Sequence, residues 1–223
     1  MAISKIIHIL GTGGANSATT SGVDTTGATL LVVAVSIYTG GSATTVSDSK
    51  SNTWTKLTSY SATTNSRITI YYSVNPTVGS AHTFTADGTS NYPGILMTAF
   101  DGVVDASPFD LENGFGRTTS GSTVQTGSIT PSEDNELIIT ALANDTTVAT
   151  ATADEGMTLI QWLNWQSATN MGVGMSYKVQ TTATAINPTW TGSANSNFAT
   201  AIACFKSAPN SGPVSLGLMG VGK

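Results

Sequence analysis

The sequence has little charge of either sign. Only 9% of its 223 residues are Asp, Glu, Lys or Arg, against about 25% in a typical globular protein. The eight Lys and Arg residues are scattered and the net charge is −5, so we predict no basic groove for nucleic acid. No apolar run approaches the roughly 18 residues of a membrane-spanning helix. We therefore expect neither a nucleic-acid nor a membrane partner.

Cysteine and histidine are also scarce, which limits catalytic and metal-binding chemistry. Cys204 is the only cysteine, so no intrachain disulfide is possible, and its apolar surroundings predict a buried side chain. His8 and His82 fall in predicted strands, and the sequence has neither a G-x-S-x-G nor an H-E-x-x-H motif. The glycine-rich turn Gly11–Gly14 lacks the third glycine of a dinucleotide-binding fingerprint, because Asn16 takes that place. We predict no catalytic residue, no metal site and no cofactor, and a protein that is not an enzyme.

Strand signals dominate what is present. Short runs rich in Val, Ile, Thr and aromatic residues are separated by Gly, Asn, Ser and Asp clusters, and no segment has a sustained helical period. The pattern predicts an all-β protein made of an antiparallel two-sheet sandwich. The predicted strands are Lys5–Leu10, Thr29–Tyr38, Asn52–Tyr60, Arg67–Val74, His82–Ala86, Gly94–Phe100, Val124–Thr130, Glu136–Ala143, Met157–Trp165, Gly172–Gln180, Asn187–Thr191 and Phe198–Lys206.

The two halves of the chain resemble each other. At a shift of 105 residues, Ile70–Val74 falls on Met175–Val179 and Leu96–Phe100 falls on Ala201–Phe205. We interpret this as an internal duplication within residues 1–206, with halves at about 4–100 and 110–206. The copies could form two tandem sandwiches, or one sandwich to which each contributes half the strands. Apolar anchors in the connecting segment 101–123, which a free linker would not need, favour the single, jelly-roll-like sandwich.

Aromatic residues on the strands are candidates for exposed contacts. Neighbouring strand residues point to opposite faces, so only one of Tyr71 and Tyr72 can face a single core, and the odd spacing of Trp162 and Trp165 has the same consequence. We predict Tyr71, Trp162 and Trp165 as exposed aromatics. Aromatic rings exposed on a sheet can stack on sugars, which makes a carbohydrate-binding or adhesin module of a phage tail or cell surface the alternative function. Calcium at the acidic residues of segment 101–112 has no calcium-loop motif to support it.

The C-terminal segment 207–223 differs from the rest of the chain. Pro209 and Pro213 end the last predicted strand, and apolar residues then recur among Gly and Ser. Lys and Glu normally guard strand edges against association, and their scarcity favours a protein that packs against other proteins. We predict that the apolar tail residues contact a partner; they are Val214, Leu216, Leu218, Met219 and Val221.

Five stretches between residues 4 and 206 carry a family resemblance: Gly27–Val35, Val46–Trp54, Ile68–Val74, Pro188–Gly192 and Ala201–Phe205. With them the chain resembles duplicated, jelly-roll-like β-sandwich structural proteins of tailed bacteriophages and prophages, of the capsid decoration or cement type. The second half departs from the pattern, since Asp154–Thr158 replaces the Ser-Asp turn of the first half.

The resemblance implies a non-enzymatic virion protein that binds the major capsid protein or other virion proteins. It also implies a homo-oligomer, made in the host cytoplasm without a signal peptide. The apolar stretch Ile6–Leu10 is too short for the core of a secretion signal, which agrees with this expectation. No functional residues carry over, because the family has no catalytic motif to match.

Overall fold

The structure is a computed structural model that describes residues 2–41, 44–63 and 65–209. Within these ranges the chain forms strands and no α-helix, which confirms the predicted all-β class. None of these residues belongs to a helix that could span a membrane. The strands are β1 Ser4–Gly13, β2 Ser17–Thr20, β3 Leu30–Tyr38, β4 Thr45–Asp48, β5 Thr55–Lys56, β6 Tyr60–Ser61, β7 Ser66–Val74, β8 Phe84–Asp87, β9 Gly94–Asp101, β10 Phe109–Gly116, β11 Gly121–Gln125, β12 Glu136–Asn144, β13 Ala151–Ala153, β14 Thr158–Leu163, β15 Gly172–Gln180, β16 Thr189–Ser196 and β17 Ala199–Phe205.

The tail residues predicted to contact a partner lie outside the described residues. They are Val214, Leu216, Leu218, Met219 and Val221, and the description ends at Pro209.

The strand order of the second half repeats that of the first. The first half forms one antiparallel sheet in the order β4-β8-β2-β1-β9-β3-β7-β5, with β6 also on β7. The second half has the order β13-β16-β11 in one sheet and β10-β17-β12-β15-β14 in another. Each strand of the second half has the same position in the strand order as the strand about 105 residues before it. The one difference is that β2 pairs with β1, whereas β11 and β10 lie in different sheets. The strand order therefore agrees with an internal duplication, and we call β1–β9 the first copy and β10–β17 the second.

Each copy has the connectivity of a jelly roll. We number the strands of each copy along the chain from 1 to 8, with β5 and β6 counted as one strand. Strands 1, 8, 3 and 6 then lie side by side in that order, and strands 2, 7 and 4 do the same. We call these the inner and the outer layer of the copy. The outer layer folds over one face of the inner layer, as in a two-sheet sandwich. The predicted jelly-roll-like arrangement is thus present once in each copy.

The inner layers of the two copies pack face to face around a shared core. This core includes Val32 and Phe100 from the first copy and Ile139, Met175 and Phe205 from the second, all fully buried. Every described strand nevertheless pairs only with strands of its own copy. The strand pairing keeps the sheets of each copy separate, as in two tandem sandwiches, while the shared core packs one sheet of each copy against the other, as in the single sandwich.

Strands of the inner layers are buried on both faces, which explains their nearly uninterrupted apolar sequences. In β3, Leu30 and Val32 face the shared core, whereas Leu31 and Val33 face the outer layer of the first copy. The prediction that Tyr71 is exposed is wrong for the same reason. Its side chain is 3% exposed and lies under the outer layer, where its hydroxyl donates to Thr44 O at 2.8 Å. Strand alternation exposes one of two neighbouring residues only where a sheet has a single core, and this inner layer has a core on each side.

Candidate functional site

The second copy has an open edge where the first copy is closed. In the first copy β1 lies between β9 and β2, and Gly11, Thr12 and Gly13 pair with Thr20, Thr19 and Ala18. The corresponding β10 pairs with β17 and, among the described strands, with no other. A row of backbone N–H and C=O groups on β10 is therefore free of strand partners, and such a row is a template for pairing with another chain.

Two large apolar side chains stand exposed on the open edge. Leu111 is 41% exposed and Phe115 is 51% exposed. At the 105-residue shift Leu111 corresponds to Ile6, which packs under the outer layer of the first copy. In the second copy the outer layer stops short of β10, so the side chains that this layer would cover remain in solvent.

A cleft of about 620 Å³ separates β10 from β11. Its walls include Phe115, Arg117 and Gln125. The Asn113 side chain spans the gap and donates through Nδ2 to Ser128 O at 3.0 Å, and Arg117 donates to the backbone oxygens of Thr119 and Thr123. Side chains thus replace some of the strand-to-strand hydrogen bonds of the first copy. We use the name open edge for the unpaired side of β10 together with Leu111 and Phe115.

The acidic residues of β10 are held by loops of both copies. Glu112 accepts hydrogen bonds from the backbone N and the hydroxyl of Thr58, at 3.0 and 2.7 Å. Asp110 accepts from the backbone N and the hydroxyl of Ser132, at 2.8 and 2.9 Å. These contacts leave the predicted acidic cluster of segment 101–112 dispersed rather than converging on one cation.

Asp110, Glu136 and Cys204 form a compact titratable cluster beside β10. One oxygen of each carboxylate and the Cys204 Sγ lie within 4.8 Å of one another. Burial and the nearby Glu136 carboxyl raise the pKa of the Cys204 thiol, which disfavours the thiolate needed for nucleophilic attack or metal binding. Burial, followed by the charge of Asp110, also raises the pKa of Glu136. Burial acts against ionisation of Asp110 as well, but the hydrogen bonds from Ser132 and the charge of Lys206 outweigh it and lower its pKa.

Burial therefore disfavours the ionised form of Glu136, whereas the hydrogen bonds from Ser132 favour the ionised form of Asp110. The thiol is fully buried, as predicted for Cys204. Nothing in this cluster activates a nucleophile, because both pKa shifts on its buried members favour the protonated, unreactive forms.

A second polar network links Thr25, His82 and Asp48. The Nδ1 of His82 lies 2.9 Å from Thr25 Oγ1, and its Nε2 donates to Asp48 Oδ1, also at 2.9 Å. These contacts have the order of a hydroxyl–imidazole–carboxylate triad. However, Thr25 and His82 are fully buried, and the ring of His82 packs on Phe84 with centroids 4.3 Å apart. A substrate has no path to this hydroxyl, so the network serves to hold the outer layer in place.

The sequence motif Val46–Trp54 has its explanation in the same network. The Asp48 carboxylate accepts hydrogen bonds from Lys50 N at 2.8 Å, from Asn52 N at 3.2 Å and from Trp54 Nε1 at 2.7 Å. The Asp48 carboxylate therefore fixes the turn that follows β4 and holds the side chains of Trp54 and His82. In the second copy Asp154 is exposed, and it accepts from Thr189 N instead.

The other two predicted aromatics take different roles. Trp162 is half-buried against the apolar cluster between the two layers of the second copy, and it donates through Nε1 to Val148 O at 2.8 Å. Trp165 lies beyond the end of β14 and lines a cavity of about 220 Å³ between the copies, together with Tyr38 and Tyr92. Trp165 was predicted as an exposed aromatic, but the two tyrosines were not, since nothing in the sequence places them beside it.

Comparisons of the chain with protein-family models, with curated proteins and with solved structures each found no match.

Proposed function

We propose that the protein is a non-enzymatic structural component of a virion, a capsid decoration protein that binds and stabilises the shell. The observation that supports this most directly is the open edge of the second copy. An unpaired strand that exposes Leu111 and Phe115 is a liability in a monomer, because other chains can pair with it. Such an edge is useful in a protein whose working state is an assembly.

The distribution of charge supports the same proposal. Lysine and glutamate are depleted from the cores of protein interfaces, and this chain has few charges of any kind. Among the described residues, Lys206 pairs with Asp110 and Glu133, while the Asp48–His82 pair is buried. A neighbouring protein can therefore cover much of this chain without desolvating charges.

The proposed occupant of the open edge is the apolar tail of a neighbouring copy in a homo-oligomer. In this tail Val214, Leu216 and Leu218 alternate with Ser215 and Gly217, the pattern of a strand with one apolar face. Fourteen residues follow Pro209, which is enough chain to reach about 45 Å when extended. A tail strand on β10 would satisfy its free backbone groups and cover Leu111 and Phe115, while the uncharged outer surfaces contact the major capsid protein.

Co-sedimentation with empty shells of the major capsid protein tests this function. We expect the full chain to pellet with the shells, and we expect a chain truncated after Ser207 and a Leu111→Ser/Phe115→Ser double variant to bind at least tenfold more weakly. Leu159→Ser is the matched control, because Leu159 is 40% exposed but lies on β14, away from the open edge. Full-length protein that stays in the supernatant would overturn the virion role, and unchanged binding by the truncated chain would remove the tail from it.

A further inference from the structure

The cavity between the two copies is lined by aromatic and amide side chains. Tyr38 lies at the end of β3, Tyr92 precedes β9 and Trp165 follows β14, so three separate segments of the chain bring their rings to one place. Tyr38 is 38% exposed, and the other two rings are half-buried. The cavity therefore opens to solvent through an aromatic rim.

A buried amide in this cavity has an unused acceptor. Asn170 is fully buried, and its Nδ2 donates to Asn164 O at 2.9 Å and to Met171 O at 3.0 Å. Because both neighbours can only accept, they fix which end of the amide carries the nitrogen. Its Oδ1 has no hydrogen-bond partner among the described residues. A buried acceptor left without a donor is costly, and a bound hydroxyl group would satisfy it.

The remaining polar groups make the cavity selective for a neutral ligand. Asp145 carries the only formal charge among the residues that line it. That carboxylate already accepts from Ser196 Oγ, from Asn197 N and Nδ2, and from Asn65 Nδ2, at 2.9 to 3.1 Å. A saturated carboxylate repels anions and has little capacity left to bind a cation, whereas Gln166 lines the wall with an amide that can both donate and accept.

The backbone around the cavity is held in an unfavourable shape. Tyr92 has a backbone φ of 48° and Ala168 a backbone φ of 55°, values that residues other than glycine rarely adopt. The Tyr92 backbone is clamped by hydrogen bonds from its N to Ala15 O and from Met171 N to its O, at 3.1 and 2.7 Å. Residues of this kind gather at sites whose shape matters for binding. Here the clamp positions the Tyr92 ring on the rim.

We propose that this cavity is a carbohydrate-binding site that takes one neutral sugar ring. The apolar C–H face of a pyranose stacks on Trp165 and the tyrosines, and its hydroxyls donate to Asn170 Oδ1 and exchange hydrogen bonds with the wall amides. The volume of about 220 Å³ is below the range of drug-sized pockets, which suits a single ring. A quaternary ammonium group also favours aromatic rims, but it brings no donor for Asn170.

The site is separate from the open edge, so it stands or falls independently of the virion role. Saturation-transfer NMR on the full chain, with millimolar methyl glycosides of glucose, galactose, mannose and N-acetylglucosamine, provides the test, and choline is the competing probe. We expect transfer to at least one glycoside, weakened about tenfold or more by Tyr38→Ala and by Trp165→Ala. Leu159→Ala is the control that keeps binding.

Tyr38→Ala keeps the test valid if Trp165→Ala fails to fold, because Tyr38 is exposed at a strand end. Transfer to no glycoside, transfer to choline alone, or binding that Tyr38→Ala leaves unchanged would each overturn the proposal.

Discussion

The Nε2 of His82 and the Oδ1 of Asp48 lie 2.9 Å apart, and both side chains are fully buried. The same carboxylate also accepts hydrogen bonds from the Trp54 indole and from the turn between Asp48 and Trp54. Asp48 therefore connects β4, the turn after it and the segment before β8. One carboxylate thus stabilises this part of the outer layer of the first copy. The second copy has no equivalent of this network at Asp154, which is exposed.

Replacing Asp48 with Asn should therefore destabilise the protein strongly. The amide presents an N–H₂ group where the carboxylate accepts hydrogen bonds, and each buried donor left without an acceptor costs about 1–3 kcal/mol. We expect Asp48→Asn to lower the free energy of unfolding in urea by about 3 kcal/mol. The corresponding Asp154→Asn should cost about 1 kcal/mol or less. Equal losses in the two variants would contradict the special role of Asp48.

The shared core should make the two copies unfold together. Phe205 belongs to the second copy, but its ring packs edge-on against Tyr72 of the first, with centroids 5.3 Å apart. We expect Phe205→Ala to lower stability by about 3–5 kcal/mol and to shift one calorimetric transition without splitting it. Phe84→Ala, in the core under the outer layer of the first copy, should shift the same single transition. Two separate transitions, of which only one responds, would show that the copies fold independently.

Glu136 gives stability a distinctive pH dependence. Burial and then the charge of Asp110 raise the pKa of Glu136 in the folded state. The contribution of this carboxyl to the free energy of unfolding is therefore fully present below its unfolded pKa of about 4.3. It is lost as the pH rises through the folded pKa. We expect Glu136→Gln to raise the free energy of unfolding at pH 7 by up to about 1.4 kcal/mol for each unit of pKa shift that is removed. The gain should shrink toward zero near pH 4.

Urea denaturation at the two pH values measures this difference. Glu133→Gln is the control, because its carboxylate is mostly exposed and its partner among the described cations is Lys206, so it should change stability by less than about 0.5 kcal/mol. The explanation would be wrong if Glu136→Gln stabilised the protein equally at both pH values.

Cys204 should be inert in the native protein. Its side chain is fully buried and its thiol pKa is raised by burial, so iodoacetamide at pH 8 should label the folded chain at least a hundredfold more slowly than the unfolded chain. Mass spectrometry of the alkylated product gives both rates. Rapid labelling under native conditions would mean that the strand carrying Cys204 opens readily.

The sequence predicted most of the strands because the inner layers are strongly apolar. Runs such as Thr29–Tyr38 and Glu136–Ala143 are buried on both faces and coincide with β3 and β12. The strands β2, β4, β10 and β13 were missed. Three of them are only three or four residues long, and β10 carries Asp110 and Glu112, whose hydrogen-bond partners come from distant segments. The sequence shows the charges of β10 but not the loops that satisfy them.

The candidate sites were less accessible to sequence reasoning. Trp165 was named as an exposed aromatic, yet its neighbours Tyr38 and Tyr92 are 127 and 73 residues away in the chain. The open edge depends on a single strand pair that forms between β1 and β2 and is absent between β10 and β11. A duplication in the sequence predicts the same pairing in both copies, so only the three-dimensional structure reveals the difference.

The molar mass of the purified protein in solution, measured by light scattering, tests the assembly account most directly. If the open edge binds the tail of a neighbour, the full chain should form a defined oligomer, and both the Leu111→Ser/Phe115→Ser variant and the chain truncated after Ser207 should shift to monomer. A full-length chain that remains a monomer at about 100 μM, with the same mass as both variants, would contradict the account.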